Sequence, residues 1–167
     1  MATSQRSENE KILILVGAIV LVSQDAERYL KLALPFVKSE DPSLGAALKR
    51  AEKLKRRTLG ELTGKFVEAS TSNSMDFAAH MAHLVAARNQ VVHHFNETYG
   101  AQISSGAHKD VLGSLEALLA NLKNYRSVLE QVVLTVLDGL RDVTYRNTPE
   151  YHQFSELCAS FRSRVAS

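Results

Sequence analysis

Arg88-Asn89-Gln90-Val91-Val92-His93 is the stretch of this 167-residue chain whose residue types and spacing best suit chemistry. Histidine titrates near neutral pH and can carry a proton to or from a ribose oxygen. Arginine holds a phosphate through paired hydrogen bonds and stabilises negative charge that builds in a transition state. Asparagine can orient either group. The set suits work on a phosphodiester.

A helix running from about Met75 to Tyr99 would carry these residues. On a wheel of about 100° per residue, Phe77, Met81, Leu84, Val85, Val91, Val92, Phe95 and Tyr99 share one face, with Arg88 in the middle of it. A guanidinium keeps its charge, so an arginine in an apolar stripe needs a partner. That partner is a carboxylate from another helix, a second subunit or a ligand anion. Asn89 and His93 are four apart and stack one turn above the other. Arg88 and His93 are five apart, roughly 140° around the axis. In one straight helix they do not converge on a small ligand. Two copies facing across a two-fold axis would bring both pairs together, which points to a composite dimer site. Glu97, four beyond His93, is either a holder of its second nitrogen or a solvated surface carboxylate.

The rest of the chain reads as helix. No stretch alternates with period two, and three prolines and eight glycines give few breaks. Helix 1 is expected from about Glu8 to Val37. Its first half is apolar on all sides, to be covered by neighbours or by a second subunit. Ser39 to Ser43 makes a turn, and helix 2 follows from about Pro42 to Arg57, with Pro42 suited to a first-turn position. Thr58 to Leu62 and Ser70 to Ser74 bracket a short, unassigned element. Ser72 or Ser74 caps the helix that starts at Met75, and Gly100 stops it. A long helix carries Val111, Leu115, Leu118, Leu122, Tyr125, Leu129, Val132, Val136, Leu140 and Val143, a seam of alternating four and three through Val136. The last helix, about Pro149 to Val165, carries Tyr151, Phe154, Leu157, Cys158 and Phe161. With no repeat or linker, residues 1–167 read as one all-α domain, an up-and-down bundle of four to five helices.

Charge and cysteine usage narrow the function classes. A net charge of +2 does not mark a nucleic-acid binder, so any basic surface must be local. Cys158 is the only cysteine, so no intrachain disulfide forms, and a reducing compartment fits. The polar start, Met1 to Glu10, is unlike a secretory leader. The apolar run Ile12 to Val22 is 11 residues long, against about 20 for a membrane span. The expectation is a cytoplasmic protein with no membrane partner.

At this point Arg88 to His93 resembles the R-x(4–6)-H motif of the HEPN superfamily, in the form with a polar residue, here Asn89, after the arginine. HEPN domains are helical bundles with the motif in the third helix, its position here. The resemblance implies a HEPN-like bundle and an endoribonuclease that needs neither metal nor cofactor. In such enzymes a homodimer gathers the motif from both chains. His93 would be the general acid/base that assists attack of the ribose 2′-hydroxyl, leaving a cyclic phosphate. Arg88 would stabilise the phosphate, with Asn89 beside it. RNA is then the partner, and toxins and effectors of anti-phage defence are the common roles, with a cognate antitoxin or regulatory protein. The alternative is a catalytically silent HEPN-like bundle that binds a partner or a nucleotide. A third is a regulatory bundle in which Arg88 forms only a structural ion pair. Some HEPN toxins carry a tyrosine, modified by a partner enzyme, two residues after the histidine. Phe95 stands there and has no hydroxyl.

The same string recurs at Arg146-Asn147-Thr148-Pro149-Glu150-Tyr151-His152, where Pro149 prevents a continuous helix; it reads as a chance match. His94 also fits the spacing and stands as a substrate-binding residue, because Asn89 aligns with His93. His83 and His93 lie about 15 Å apart along one helix and cannot share an ion, so no metal site is expected; His80 and His83 read as surface or interface residues. Lys49, Arg50, Lys53, Lys55, Arg56 and Arg57 form the densest basic cluster. It is a solvated helix face or a track that steers RNA phosphates, with Lys53, Arg56 and Arg57 as substrate-binding residues.

Overall fold

The structure is a computed structural model that describes residues 2–37, 41, 43–69 and 75–165. Among them there is no strand, and the fold is all-α. The elements are α1 (Ala2–Ala33), a 3₁₀ turn (Leu34–Phe36), α2 (Leu44–Leu54), α3 (Leu59–Ala69), α4 (Met75–His93), α5 (Phe95–Ser104), α6 (His108–Gly139), a π turn (Leu140–Thr144) and α7 (Tyr151–Val165). Among the described residues these are seven α-helices, where four to five were expected. The unassigned stretch is a helix in its own right, and the motif helix is broken in two.

Local chemistry explains the first difference. Thr58 and Glu61 form a capping box: Glu61 Oε2 accepts from the Thr58 backbone N–H at 2.9 Å, and Thr58 Oγ1 accepts from the Glu61 N–H at 3.4 Å. Arg57 Nη1 clamps Glu61 from outside at 2.6 Å. The Ser43 side chain accepts from the Ala46 N–H and starts α2 two residues later than Pro42. Pro42, the Ser39 turn and the proposed caps Ser72 and Ser74 lie outside the described residues. Gly100 does not stop the motif helix, because it sits within α5. α4 ends at His93, and the glycine that ends α5 is Gly106, at φ 82°. There Ala107 N–H donates to Gln102 O at 2.8 Å and Gly106 N–H to Ile103 O at 3.1 Å, the paired bonds of a Schellman turn.

Two compact units are distinguished. The first comprises Met1–Ala26 and Asn73–Arg126. Its core includes Ile12, Ile19, Met81, Leu84, Val91 and, from α6, Val111, Leu115 and Leu122, all buried. Glu8 Oε2 lies 3.9 Å from His108 Nδ1 and Asp25 Oδ2 lies 3.6 Å from Arg126 Nε. The numbers rise together, so α1 and α6 run parallel there. On α1, Leu13, Ile14 and Leu21 are 64–70% exposed.

The second unit comprises Glu27–Ser72 and Ser127–Ser167. Its core is aromatic. Phe154 is fully buried against Tyr145, with ring centroids 4.6 Å apart, and meets Phe36 edge-on at 5.6 Å; Phe161 meets Tyr29 at 5.5 Å. In α7, Phe154, Cys158 and Phe161 are buried while Tyr151 is exposed. The α6 seam holds from Val111 to Leu129 and then moves onto Val133 and Leu137. A straight helix at 3.6 residues per turn drifts from a strict heptad in this way. The π turn then adds a residue per turn, with Tyr145 N–H donating to Leu140 O at 3.0 Å. Val143, expected on the seam, is consequently 83% exposed. No helix among the described residues is long and apolar enough to cross a membrane.

Candidate functional site

α4 supplies Arg88, Asn89 and His93, and the helix ends there. His94 leaves helical geometry (φ −129°, ψ 30°) and serves as N-cap of α5. Two β-branched residues, Val91 and Val92, precede the break. Glu97 occupies the third position of α5, where a carboxylate is favoured by the exposed N–H groups of a helix start. Backbone bonds His94 N→Gln90 O (3.1 Å) and Thr98 N→His94 O (2.9 Å) carry the chain through the break.

Arg88 is half-buried, with Val91 and Leu84 buried on either side of it. The side chain of Phe77, expected on the same face, lies outside the described residues. Arg88 Nη1 donates to Asn89 Oδ1 at 3.0 Å and lies 3.4 Å from His93 Nε2. A guanidinium has no acceptor, so this contact requires an unprotonated Nε2 with the lone pair facing Arg88. At 3.4 Å it is a long, weak bond that a better acceptor would displace. The expectation that Arg88 and His93 do not converge within one chain is thus corrected. The wheel compares Cβ directions, whereas a guanidinium on a three-carbon stem spans the angle between them. Asn89 orients the imidazole only through Arg88.

Glu97 is not the partner of His93. Its Oε2 lies 2.7 Å from His94 Nδ1, and both side chains are mostly exposed. His94 and Glu97 are three apart, a spacing that makes neighbours on a helix with or without the break, so the signal for this pair was in the sequence. The rings of His93 and His94 are 6.5 Å apart, so two imidazoles and a guanidinium lie together at the α4–α5 junction. Phe95 packs on Tyr99 at 5.3 Å, and burial pushes the Tyr99 hydroxyl above its ordinary pKa.

The other sequence features fall elsewhere. Lys53, Arg56 and Arg57 belong to the second unit, at the end of α2 and the turn after it, while Arg88 to His94 belong to the first. Within the basic cluster, Arg50 is committed to the backbone oxygens of Pro35 (2.7 Å) and Asp41 (3.0 Å), Lys55 to Glu52 and Arg57 to Glu61. In the repeated string, Arg146 lies in a turn and His152 on α7, where it faces Glu156 at 3.3 Å. His80 and His83 are exposed on α4. No group of three or more His, Cys, Asp or Glu among the described residues could hold a metal ion.

Sequence reasoning passed over His108. It opens α6, is 1% exposed, and neither ring nitrogen has a hydrogen bond among the described residues. Comparison with protein-family models, characterised proteins and solved structures gave no match.

Proposed function

We propose that the chain is an endoribonuclease of HEPN type, with its reaction centre at the α4–α5 junction. The observation that carries this is the convergence of Arg88, Asn89 and His93, through 3.0 and 3.4 Å contacts centred on one guanidinium nitrogen. A phosphate oxygen is a far stronger acceptor than an imidazole nitrogen. On binding, the phosphate takes the Arg88 N–H, and the Nε2 lone pair of His93 becomes free to receive the proton of a ribose 2′-hydroxyl. The oxygen attacks the adjacent phosphorus, the bond to the 5′-oxygen breaks, and a cyclic phosphate remains. In this reading His94, whose Nδ1 lies 2.7 Å from Glu97, binds the substrate and supplies the proton to the departing oxygen. Arg88 stabilises the charge on the phosphoryl oxygens as it builds.

The bundle is read as HEPN-like and the working form as a homodimer. The exposed stripe of Leu13, Ile14 and Leu21 supports a second copy, because single chains rarely leave contiguous apolar surface uncovered. Lys53, Arg56 and Arg57 supply basic surface for RNA phosphates. A toxin or anti-phage effector in the cytoplasm, held by an antitoxin or regulatory protein, is the biological role proposed. A catalytically silent scaffold is the second reading, favoured by the Arg88–Asn89 bond being satisfied within its own helix. RNA cleavage by wild type, Arg88→Ala and His93→Ala in EDTA separates the two.

A further inference from the structure

Two adjacent histidines at the α4–α5 junction meet opposite partners. Arg88 Nη1 lies 3.4 Å from His93 Nε2, and Glu97 Oε2 lies 2.7 Å from His94 Nδ1. A guanidinium only donates, so it faces a lone pair; a carboxylate only accepts, so it faces an N–H. His93 therefore turns an accepting nitrogen to the arginine, and His94 turns a donating one to the glutamate. The other nitrogen of His94, Nε2, carries no hydrogen bond among the described residues.

His94 is held at three points. Its carbonyl accepts from the Thr98 backbone N–H at 2.9 Å and from the Thr98 hydroxyl at 2.8 Å. Glu97 holds its ring. The N–H groups of a helix start favour a carboxylate, yet among the described residues Glu97 gives its hydrogen bond to the imidazole. The pair is mostly exposed, at 59% for His94 and 76% for Glu97. An ion pair so exposed adds little to stability. What it does supply is a fixed ring direction and a fixed site for the Nδ1 proton.

We infer that Glu97 is the positioning residue of the leaving-group step: it holds His94 Nδ1–H so that Nε2 delivers the proton. This rests on the ribonuclease reading above. Attack and departure lie on opposite sides of phosphorus, so base and acid reach it from two directions. The rings of His93 and His94, 6.5 Å apart and at 73°, supply two. The 2′-hydroxyl proton passes to His93 Nε2 as the bond from the 2′-oxygen to phosphorus forms. The electron pair of the bond to the 5′-oxygen leaves with that oxygen, which takes a proton from Nε2 of the His94 imidazolium. Exchange with water then removes a proton from His93 and returns one to His94. Glu97 acts only through His94.

Sulfur in place of the 5′-bridging oxygen, at a linkage that wild type is first seen to cleave, tests this, because a thiolate departs without a proton. Single-turnover rates are compared for ordinary and sulfur-bridged RNA of one sequence, using the full chain. On ordinary RNA, Glu97→Ala is expected to be slower by about tenfold or more and His94→Ala by about 100-fold. On sulfur-bridged RNA both are expected to approach the wild-type rate, while His93→Ala stays slow on both. Melting curves should be nearly unchanged for Glu97→Ala; Glu97→Gln replaces it, with a loss in the same direction, should it melt early. Glu97→Ala cleaving ordinary RNA as fast as wild type overturns the inference. So does an equal loss on both substrates, which would mean that Glu97 serves binding or folding. Wild type leaving ordinary RNA intact is a separate failure: it removes the ribonuclease reading and this inference with it.

Discussion

Arg88 Nη1 stands 3.4 Å from His93 Nε2 although the two residues are five apart on the same chain. The same nitrogen donates to Asn89 at 3.0 Å. One guanidinium nitrogen therefore stands against both an amide oxygen and an imidazole nitrogen. Convergence within a single chain removes the geometric need for a second copy to bring arginine to histidine.

Asn89→Ala takes away the strong acceptor of Arg88 and leaves the rest of the junction in place. RNA cleavage is expected to fall by about 10- to 100-fold, the usual cost of losing a group that orients a functional side chain. Arg88→Lys is expected not to restore it, because an ammonium lacks the planar fork. Single-turnover cleavage rates, with melting curves as the control for folding, check both.

Glu61 is held below its ordinary carboxylate pKa, first by the Thr58 backbone N–H and then by Arg57. A carboxyl depressed in the folded state stabilises the protein above its unfolded pKa and loses that contribution as pH falls through the folded value. The stability of α3 should therefore drop as pH is lowered below about 4.3, the ordinary glutamate value. Glu61→Gln should flatten that part of the pH–stability curve. Thr58→Ala, which removes the cap at any pH, should cost about 1 kcal/mol in urea denaturation.

Gly106 has a positive φ that closes the Schellman turn after α5. Gly106→Ala places a Cβ in the left-handed region and should destabilise the chain by about 1 kcal/mol. Gly100→Ala, within α5, should stabilise it slightly or leave it unchanged. Chemical denaturation of the pair checks which glycine ends the helix.

Cys158 is buried, and burial raises its thiol pKa, so little thiolate forms at neutral pH. Native protein should react with a disulfide reagent far more slowly than protein in denaturant. Rapid reaction of the native thiol would mean that α7 opens readily from Leu137, whose carbonyl faces the sulfur at 3.8 Å.

The all-α class was legible because the apolar spacing of Val111 to Leu129 or of Phe154, Cys158 and Phe161 follows directly from helical geometry. Later in α6 the seam slid onto Val133 and Leu137, where a heptad template parts from a real helix. The short element between Thr58 and Ser70 had no clear apolar period, and its helical start lies in the capping-box spacing of Thr58 and Glu61. At the site, Arg88, Asn89 and His93 were picked out by type and spacing. The pairing of Glu97 with His94 was legible from their spacing of three but was passed over for the spacing of four to His93, while the break at His94 itself had no local signal.

The central claim is that Arg88 and His93 act together on RNA. Purified wild type, Arg88→Ala and His93→Ala are incubated with RNA in EDTA, and the product termini are identified. Wild type should cleave and leave cyclic phosphates, and each substitution should lower the rate by at least about 100-fold while the protein stays folded. Equal cleavage by all three would mean a contaminating nuclease, and intact RNA with folded wild type would mean a silent bundle; either result contradicts the claim.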